Sequence, residues 1–217
     1  MRDGCSTGQV QRTLQAVKVS ISPLPCSVAF ETESGVIPEA TAHYQKRLSD
    51  LRGLFMDPAA LELRIREEGD PVCYENYAFN LSQAEGDIFF GTTIIYAGKV
   101  GVEYHLTRGH YHRKRNHAET YQAISGRGLV LFEREDGTTS TAELATGKVT
   151  YVAPFWAHRS VNTSDVPLVF LWTCSVEAGH DYEGLGRRGM RQVVVERNGL
   201  PSVEDRSFFV ESQPPLD

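Results

Sequence analysis

The chain has 217 residues and a net charge of −6, a length that suits one domain with a full core and a charge that gives no sign of a nucleic-acid surface. No apolar run approaches the ~20 residues needed to span a bilayer, and no apolar stretch follows Arg2, Arg12 and Lys18 to make a secretory signal. Cys5, Cys26, Cys73 and Cys174 are too scattered for a zinc ribbon or a disulfide scaffold, so a cytoplasmic protein with reduced thiols and no nucleic-acid or membrane partner is expected.

Residues 1–27 are polar and rich in Gly, Ser, Thr and Gln, and read as a loosely ordered extension. Weak alternation over 17–21 suggests an edge strand there. Residues 39–51 read as a short helix that carries His43 on its surface. A second helix starts at Asp57-Pro58, with Asp as the cap and Pro at the first helical position. Leu61 and Ile65 lie one turn apart on it, and Gly69 stops it.

From Val72 the pattern changes to strands. Residues 88–96 are aromatic and β-branched, and 98–101 read as a turn. Strands follow at 120–124 and 129–133, joined through Ser125-Gly126-Arg127-Gly128, and Asp136-Gly137 signals a hairpin. Further strands are expected at 148–152, 159–161 and 168–173. A last hairpin turns at Asn198-Gly199, and Gln213-Pro214-Pro215 closes the chain as a tail. Short strands separated by Gly-rich turns predict a mainly β fold, a barrel or a double-sheet jelly roll, with short helices confined to the first third.

Three histidines and one carboxylate stand out against this background. In a strand, side chains at i and i+2 share a face, so His110 and His112 can aim both imidazoles into a barrel. Glu119 and His158 can reach the same point from neighbouring strands. Such a donor set suits one borderline divalent metal ion per subunit, Fe, Mn, Zn or Ni. A lone His-x-His pair is more often two partly exposed polar side chains; the four residues together make the metal reading. His105 and His117 lie close by but are not needed to complete the set.

The same residues carry a family resemblance. His110-Tyr111-His112, then Glu119 with Gly126 after it, then Pro154, His158 and Asn162, resembles the two sequence motifs of the cupins. Two departures are visible: six residues separate His112 from Glu119, and Phe155-Trp156-Ala157 stands where a glycine is usual between Pro and His. The words Thr107-Arg108-Gly109-His110-Tyr111-His112, Ala118-Glu119-Thr120-Tyr121, Trp156-Ala157-His158-Arg159 and Ala178-Gly179-His180-Asp181-Tyr182 are similar to the cupin-type glucose-6-phosphate isomerases. The likeness spans 28–205. It implies a cupin double-stranded β-helix over 28–217, a metal-dependent interconversion of glucose 6-phosphate and fructose 6-phosphate, and, by analogy, a homodimer. It implies His110, His112, Glu119 and His158 as metal ligands. It also implies Thr93, Thr107, Gly109, Tyr121, His180 and Tyr182 as residues lining the sugar-phosphate pocket. Where the family usually carries a tyrosine, this chain has Cys174.

The chemistry asks for a Lewis acid at the two substrate oxygens and a proton carrier at C1 and C2. Glu119 is the expected base, with a direct hydride shift as the competing route, and His180 is the expected helper at a substrate oxygen. Arg108 and Arg159 could attract an anion, though each alone reads as a solvated charge. Phe155 and Trp156 read as packing beside His158, and Asn162 as a group that orients backbone near it. Two other functions share the ligand set: an Fe(II) dioxygenase, told apart by oxygen uptake, and a non-catalytic sugar-phosphate-binding cupin.

Overall fold

The computed structural model describes residues 24–185 and 189–206. The expected strand at 17–21, most of the expected extension and the C-terminal tail lie outside these residues.

The first strand, β1 (Ala42–Arg47), occupies much of the segment expected to be helical. It pairs antiparallel with β2 (Val72–Phe79), with Tyr44 opposite Asn76. Pairing with a neighbouring strand overrides the weak helical pattern, and only a single 3₁₀ turn, Leu48–Leu51, survives from that expectation. His43 therefore lies on a strand, where its Nε2 is 2.8 Å from Glu75 Oε2 and its ring stacks on Tyr77.

The helix α1 (Pro58–Glu68) forms as its sequence dictates. Asp57 accepts from the Ala60 amide at 2.8 Å, and Gly69 ends the helix in the left-handed conformation at φ 71°. Leu61 is buried beneath it. No helix among the described residues is long and apolar enough to cross a membrane.

Strand β3 (Ile88–Ile95) follows. The expected turn at 98–101 is instead the start of a small hairpin, β4 (Lys99–Val100) with β5 (Glu103–Tyr104), turning at Gly101-Val102. Then come β6 (Tyr111–His112), β7 (Glu119–Ser125), β8 (Arg127–Glu133), β9 (Thr139–Ala145), β10 (Val149–Val152) and β11 (Ala157–Asn162). The last are β12 (Leu168–Ser175), β13 (His180–Asp181), β14 (Gln192–Arg197) and β15 (Leu200–Asp205).

One wall of the fold is a six-stranded sheet in the order β1-β2-β3-β12-β7-β10. Facing it are β11-β8-β9, β13-β6 and β15-β14-β5-β4, tied together by isolated bridges at Leu106–Val161 and His110–His158. The chain crosses between the walls at Gly126, so β7 and β8, adjacent in sequence, belong to different sheets. This is the mainly β jelly roll expected. Its core is a continuous apolar cluster that includes Ile95, Leu106, Leu131, Leu144, Val161 and Leu168.

Strand β11 is buried along its whole length, Arg159 included at 1% exposure. That corrects the reading of Arg159 as a surface charge. Its guanidinium donates to the Arg108 carbonyl at 2.7 Å, and burial lowers its pKa to about 10. Asn162, at the far end of β11, does not serve His158. Its side-chain amide donates to the carbonyls of Ile95 (2.8 Å) and Val166 (2.9 Å) and so ties the β11–β12 turn to β3.

Candidate metal centre and its pocket

His110, His112, Glu119 and His158 converge, with one ligand atom from each lying within 4.8 Å of the others. They come from four places in the fold. His112 ends β6 and Glu119 opens β7, while His158 is the second residue of β11. His110 lies just outside β6 and is fixed by a two-way backbone bridge to His158, with N···O distances of 3.2 and 3.0 Å. Both histidines of the i, i+2 pair thus join the group, although only His112 lies within a strand.

Glu119 Oε2 is 3.2 Å from His112 Nε2 and 3.2 Å from His158 Nε2, and it accepts from the Tyr121 hydroxyl at 3.3 Å. Burial alone would raise the carboxyl's pKa; the two imidazoles outweigh it and hold the group at about 2. Burial first, then its histidine neighbours, pushes His110 well below the usual histidine range. The Nε2 atom of His110 is buried without a hydrogen-bond partner, and that of His158 has only the Glu119 carboxylate oxygen beside it. A buried donor or acceptor left unmade is costly, and a cation shared by the four groups would satisfy both nitrogens at once. The outer nitrogens are oriented by backbone: His112 Nδ1 donates to the His117 carbonyl at 3.0 Å, and His158 Nδ1 lies 3.4 Å from the Trp156 carbonyl. His117 thus serves through its carbonyl rather than its ring. His105 lies away from the group, between Tyr96 and Arg64.

Three of the four, His110, Glu119 and His158, line a pocket. Its walls follow the two-residue period of the strands. β2 supplies Tyr74, Asn76 and Ala78; β3 supplies Phe89 and Thr93; β12 supplies Phe170 and Trp172; Tyr121 follows Glu119 on β7. Thr107, Arg108 and Gly109 line it from the loop before His110, and His180 and Tyr182 close it. All six residues expected to line a sugar-phosphate pocket therefore line this one. Tyr44, Tyr74, Asn76, Phe89 and Ser160 also line it and were not expected. Alternation on the strands marks their faces, but nothing local says which faces meet.

Gly109 is required where it stands. Its φ is 76°, and a Cβ there would meet Arg159 Nε at 3.1 Å and the His158 carbonyl at 3.3 Å. His180 pairs with His112 across β13 and β6 and stacks on Tyr182 at 5.8 Å between ring centres. Its ring is 4.4 Å from that of His110. Arg115 holds this segment, donating to Asp181 at 2.6 Å and to the His112 carbonyl. Burial of its ring in the pocket lowers the His180 pKa.

Of three residues singled out near the site, one departs from its expectation. Cys174 is 6% exposed and lies opposite Glu119 and Phe89 in the neighbouring strands, but is not among the residues lining the pocket. Phe155 is 53% exposed rather than packed, and its φ of 69° supplies the left-handed turn that a glycine usually makes there. Trp156 does pack, edge-on to Phe132 and beneath Arg134.

The family described as glucose-6-phosphate isomerase matches residues 45–207. The chain belongs to this family, in its cupin-type form. Glucose-6-phosphate isomerase of Thermococcus litoralis is 43% identical over 181 residues, 83% of this chain and 94% of that protein. The enzyme of Thermococcus onnurineus is 44% identical over the same length and shares, and that of Sinorhizobium medicae is 38% identical over 189 residues, 86% and 87% of the two chains. Among solved structures, an oxalate decarboxylase of Bacillus subtilis overlaps 49% of this chain and 26% of its own at 23% identity and a TM-score of 0.41. The fold assignment rests on the strand pairing described above and not on that overlap.

Proposed function

We propose that this protein is a metal-dependent aldose–ketose isomerase that interconverts glucose 6-phosphate and fructose 6-phosphate. The observation that carries the reading is the convergence of His110, His112, Glu119 and His158, three of which line one pocket, in a chain of this family. The orphan nitrogen of His110 and the mixed imidazole–carboxylate donor set fit one divalent ion of the Fe, Mn, Zn or Ni type. When bound, such an ion supplies Lewis acidity for charge developing on the sugar's C1 and C2 oxygens.

The remaining work falls to the chain. Glu119 is the base in this reading: it takes the C2 proton of the open-chain aldose and returns it to C1. Its Oε2 is committed to the two imidazoles and Tyr121, while Oε1 makes no hydrogen bond to the described residues and is the oxygen left for the proton. Proton transfer by a positioned group is worth roughly 10²–10⁴-fold. His180, neutral near pH 7 because burial lowers its pKa, shuttles a proton at a substrate oxygen during ring opening. Thr93, Thr107, the Gly109 backbone, Tyr121 and Tyr182 orient the sugar phosphate. The working unit in this reading is a cytoplasmic homodimer.

The test is a coupled assay for fructose 6-phosphate on the metal-loaded protein, with oxygen consumption followed in parallel. Product without oxygen uptake supports the isomerase; oxygen uptake without product overturns it in favour of a dioxygenase.

A further inference from the structure

Neighbouring side chains on a strand point to opposite faces, and β11 shows it at the centre. His158 and Ser160 line the pocket; Arg159, between them, does not. Arg159 is 1% exposed, and its Nε and Nη1 are buried with no hydrogen-bond partner among the described residues. A buried cation with donors left unmade is costly, and an apolar side chain of similar volume often serves a core as well or better. The position of Arg159 therefore calls for a use beyond packing. Its remaining nitrogen, Nη2, supplies one: it reaches back towards the metal ligands and donates to the Arg108 carbonyl at 2.7 Å.

That carbonyl belongs to the segment that brings in His110, and the segment is tied to β11 residue by residue. The Thr107 amide donates to the Ser160 carbonyl at 2.9 Å, the Arg108 carbonyl takes the Arg159 guanidinium, and His110 makes its two-way bridge with His158. Between the last two ties stands Gly109, at φ 76°, so close to Arg159 that a Cβ would lie 3.1 Å from Nε and 3.2 Å from Arg159 Cβ. Glycine is the most freely turning link in a chain. His110 lies just beyond it, outside β6, on an isolated bridge. The Arg159 hydrogen bond fixes the peptide plane on the N-terminal side of this link. Without it, the approach of the His110 imidazole is set by the bridge alone.

We propose that Arg159 is a positioning residue for the metal centre: from the face of β11 turned away from the pocket, it locks the Arg108–Gly109 peptide and so preorganises His110 for the ion. The proposal rests on the reading that the four-residue centre binds a divalent ion, and it is tested by ion binding rather than by turnover. Groups that orient a ligating histidine without touching the ion typically account for roughly 10–100-fold in metal affinity.

The experiment measures Mn(II) affinity by competition with a chelator, and the visible spectrum of the Co(II)-loaded protein, in wild type, Arg159→Met, Arg159→Gln and Arg159→Lys. Leu144→Ala serves as the control for lost stability alone, since Leu144 is a core residue opposite Gly128, towards the end of β8 away from the centre. Arg159→Met and Arg159→Gln are expected to weaken Mn(II) binding by roughly tenfold or more and to alter the Co(II) spectrum. Arg159→Lys, which keeps a charged donor for the carbonyl, is expected to recover part of the loss. Leu144→Ala is expected to melt lower and to keep the wild-type affinity and spectrum. Mn(II) affinity within about twofold of wild type in whichever of Arg159→Met and Arg159→Gln folds overturns the proposal. An equal loss in Leu144→Ala overturns it too, by showing that any weakening of the core loosens the centre. A wild type that binds neither ion rejects the metal reading itself, and the proposal with it; tight wild-type binding that the Arg159 variants share rejects the proposal alone.

Discussion

His110 and His158 face each other across a two-way backbone bridge, each amide donating to the other's carbonyl at 3.2 and 3.0 Å, with ring centres 4.4 Å apart. One bridge therefore fixes two imidazoles of the candidate metal centre carried by distant parts of the chain. Replacing either side chain leaves the backbone bridge intact, so ligation and folding can be separated. His158→Ala is expected to fold, to keep far-ultraviolet circular dichroism, and to lose most bound metal by elemental analysis. Full metal occupancy in that variant would remove His158 from the ligand set.

Glu119→Gln tests the base. Glutamine keeps an oxygen for the metal but cannot accept a proton near neutral pH. The variant is expected to retain much of its metal and to lose roughly 10²-fold or more in kcat, with wild-type product carrying solvent deuterium. A metal-loaded Glu119→Gln protein that turns over normally, with no label in product, would move the mechanism to a hydride shift.

A pH dependence of stability follows from His105, well away from the metal ligands. It is 2% exposed, its Nδ1 donates to the Tyr96 carbonyl at 3.1 Å, and its Nε2 accepts from Arg64 at 3.0 Å. Burial, reinforced by the Arg64 charge, lowers its pKa from 6.5 to about 4. Between those values the unfolded chain takes up a proton that the folded chain refuses. The contribution is therefore fully present above pH 6.5 and is lost as pH falls towards 4, by an amount on the order of 3 kcal/mol. Urea unfolding of wild type and His105→Gln between about pH 7 and about pH 4.5 measures it. The wild type is expected to lose stability more steeply; identical slopes would show that His105 does not carry the effect. Gly98 makes room for this ring, since a Cβ there would lie 2.5 Å from His105 Cε1.

Phe155 gives a test of backbone strain beside the centre. A non-glycine residue held at φ 69° costs on the order of 1–2 kcal/mol. Glycine at 155 is thus expected to be more stable than alanine at 155 by about 1 kcal/mol, the reverse of the order at an ordinary position. Thermal melts of Phe155→Gly and Phe155→Ala decide it, and an alanine variant as stable as the glycine one would show that the turn is unstrained.

The sequence was most legible where one residue type has one physical reason to be present. Asp57-Pro58 and Gly69 mark α1 because caps act within a turn or two of chain. Asn198 and Gly199, at φ 52° and 76°, mark the last hairpin because few residues tolerate that region. The convergence of the four candidate ligands was legible because metal chemistry admits few donor types. What local pattern could not show was which faces meet. Tyr44 entered the pocket only because β1 pairs with β2 instead of coiling, and Asn76 became a pocket residue through its register opposite Thr93. Arg159 is hidden from a local reading for the same reason: an arginine on a short strand looks solvated until layers close over both faces.

In the proposed reading, the four-residue centre makes this protein an isomerase through a bound divalent ion. The most direct measurement strips the protein with a chelator and assays glucose 6-phosphate conversion as Mn, Fe, Ni, Zn and Co are returned singly, to wild type and to His158→Ala. The account predicts that stripping abolishes formation of fructose 6-phosphate, that at least one ion restores it in wild type, and that none restores it in His158→Ala. Undiminished conversion by the stripped protein, or full restoration in His158→Ala, would contradict it.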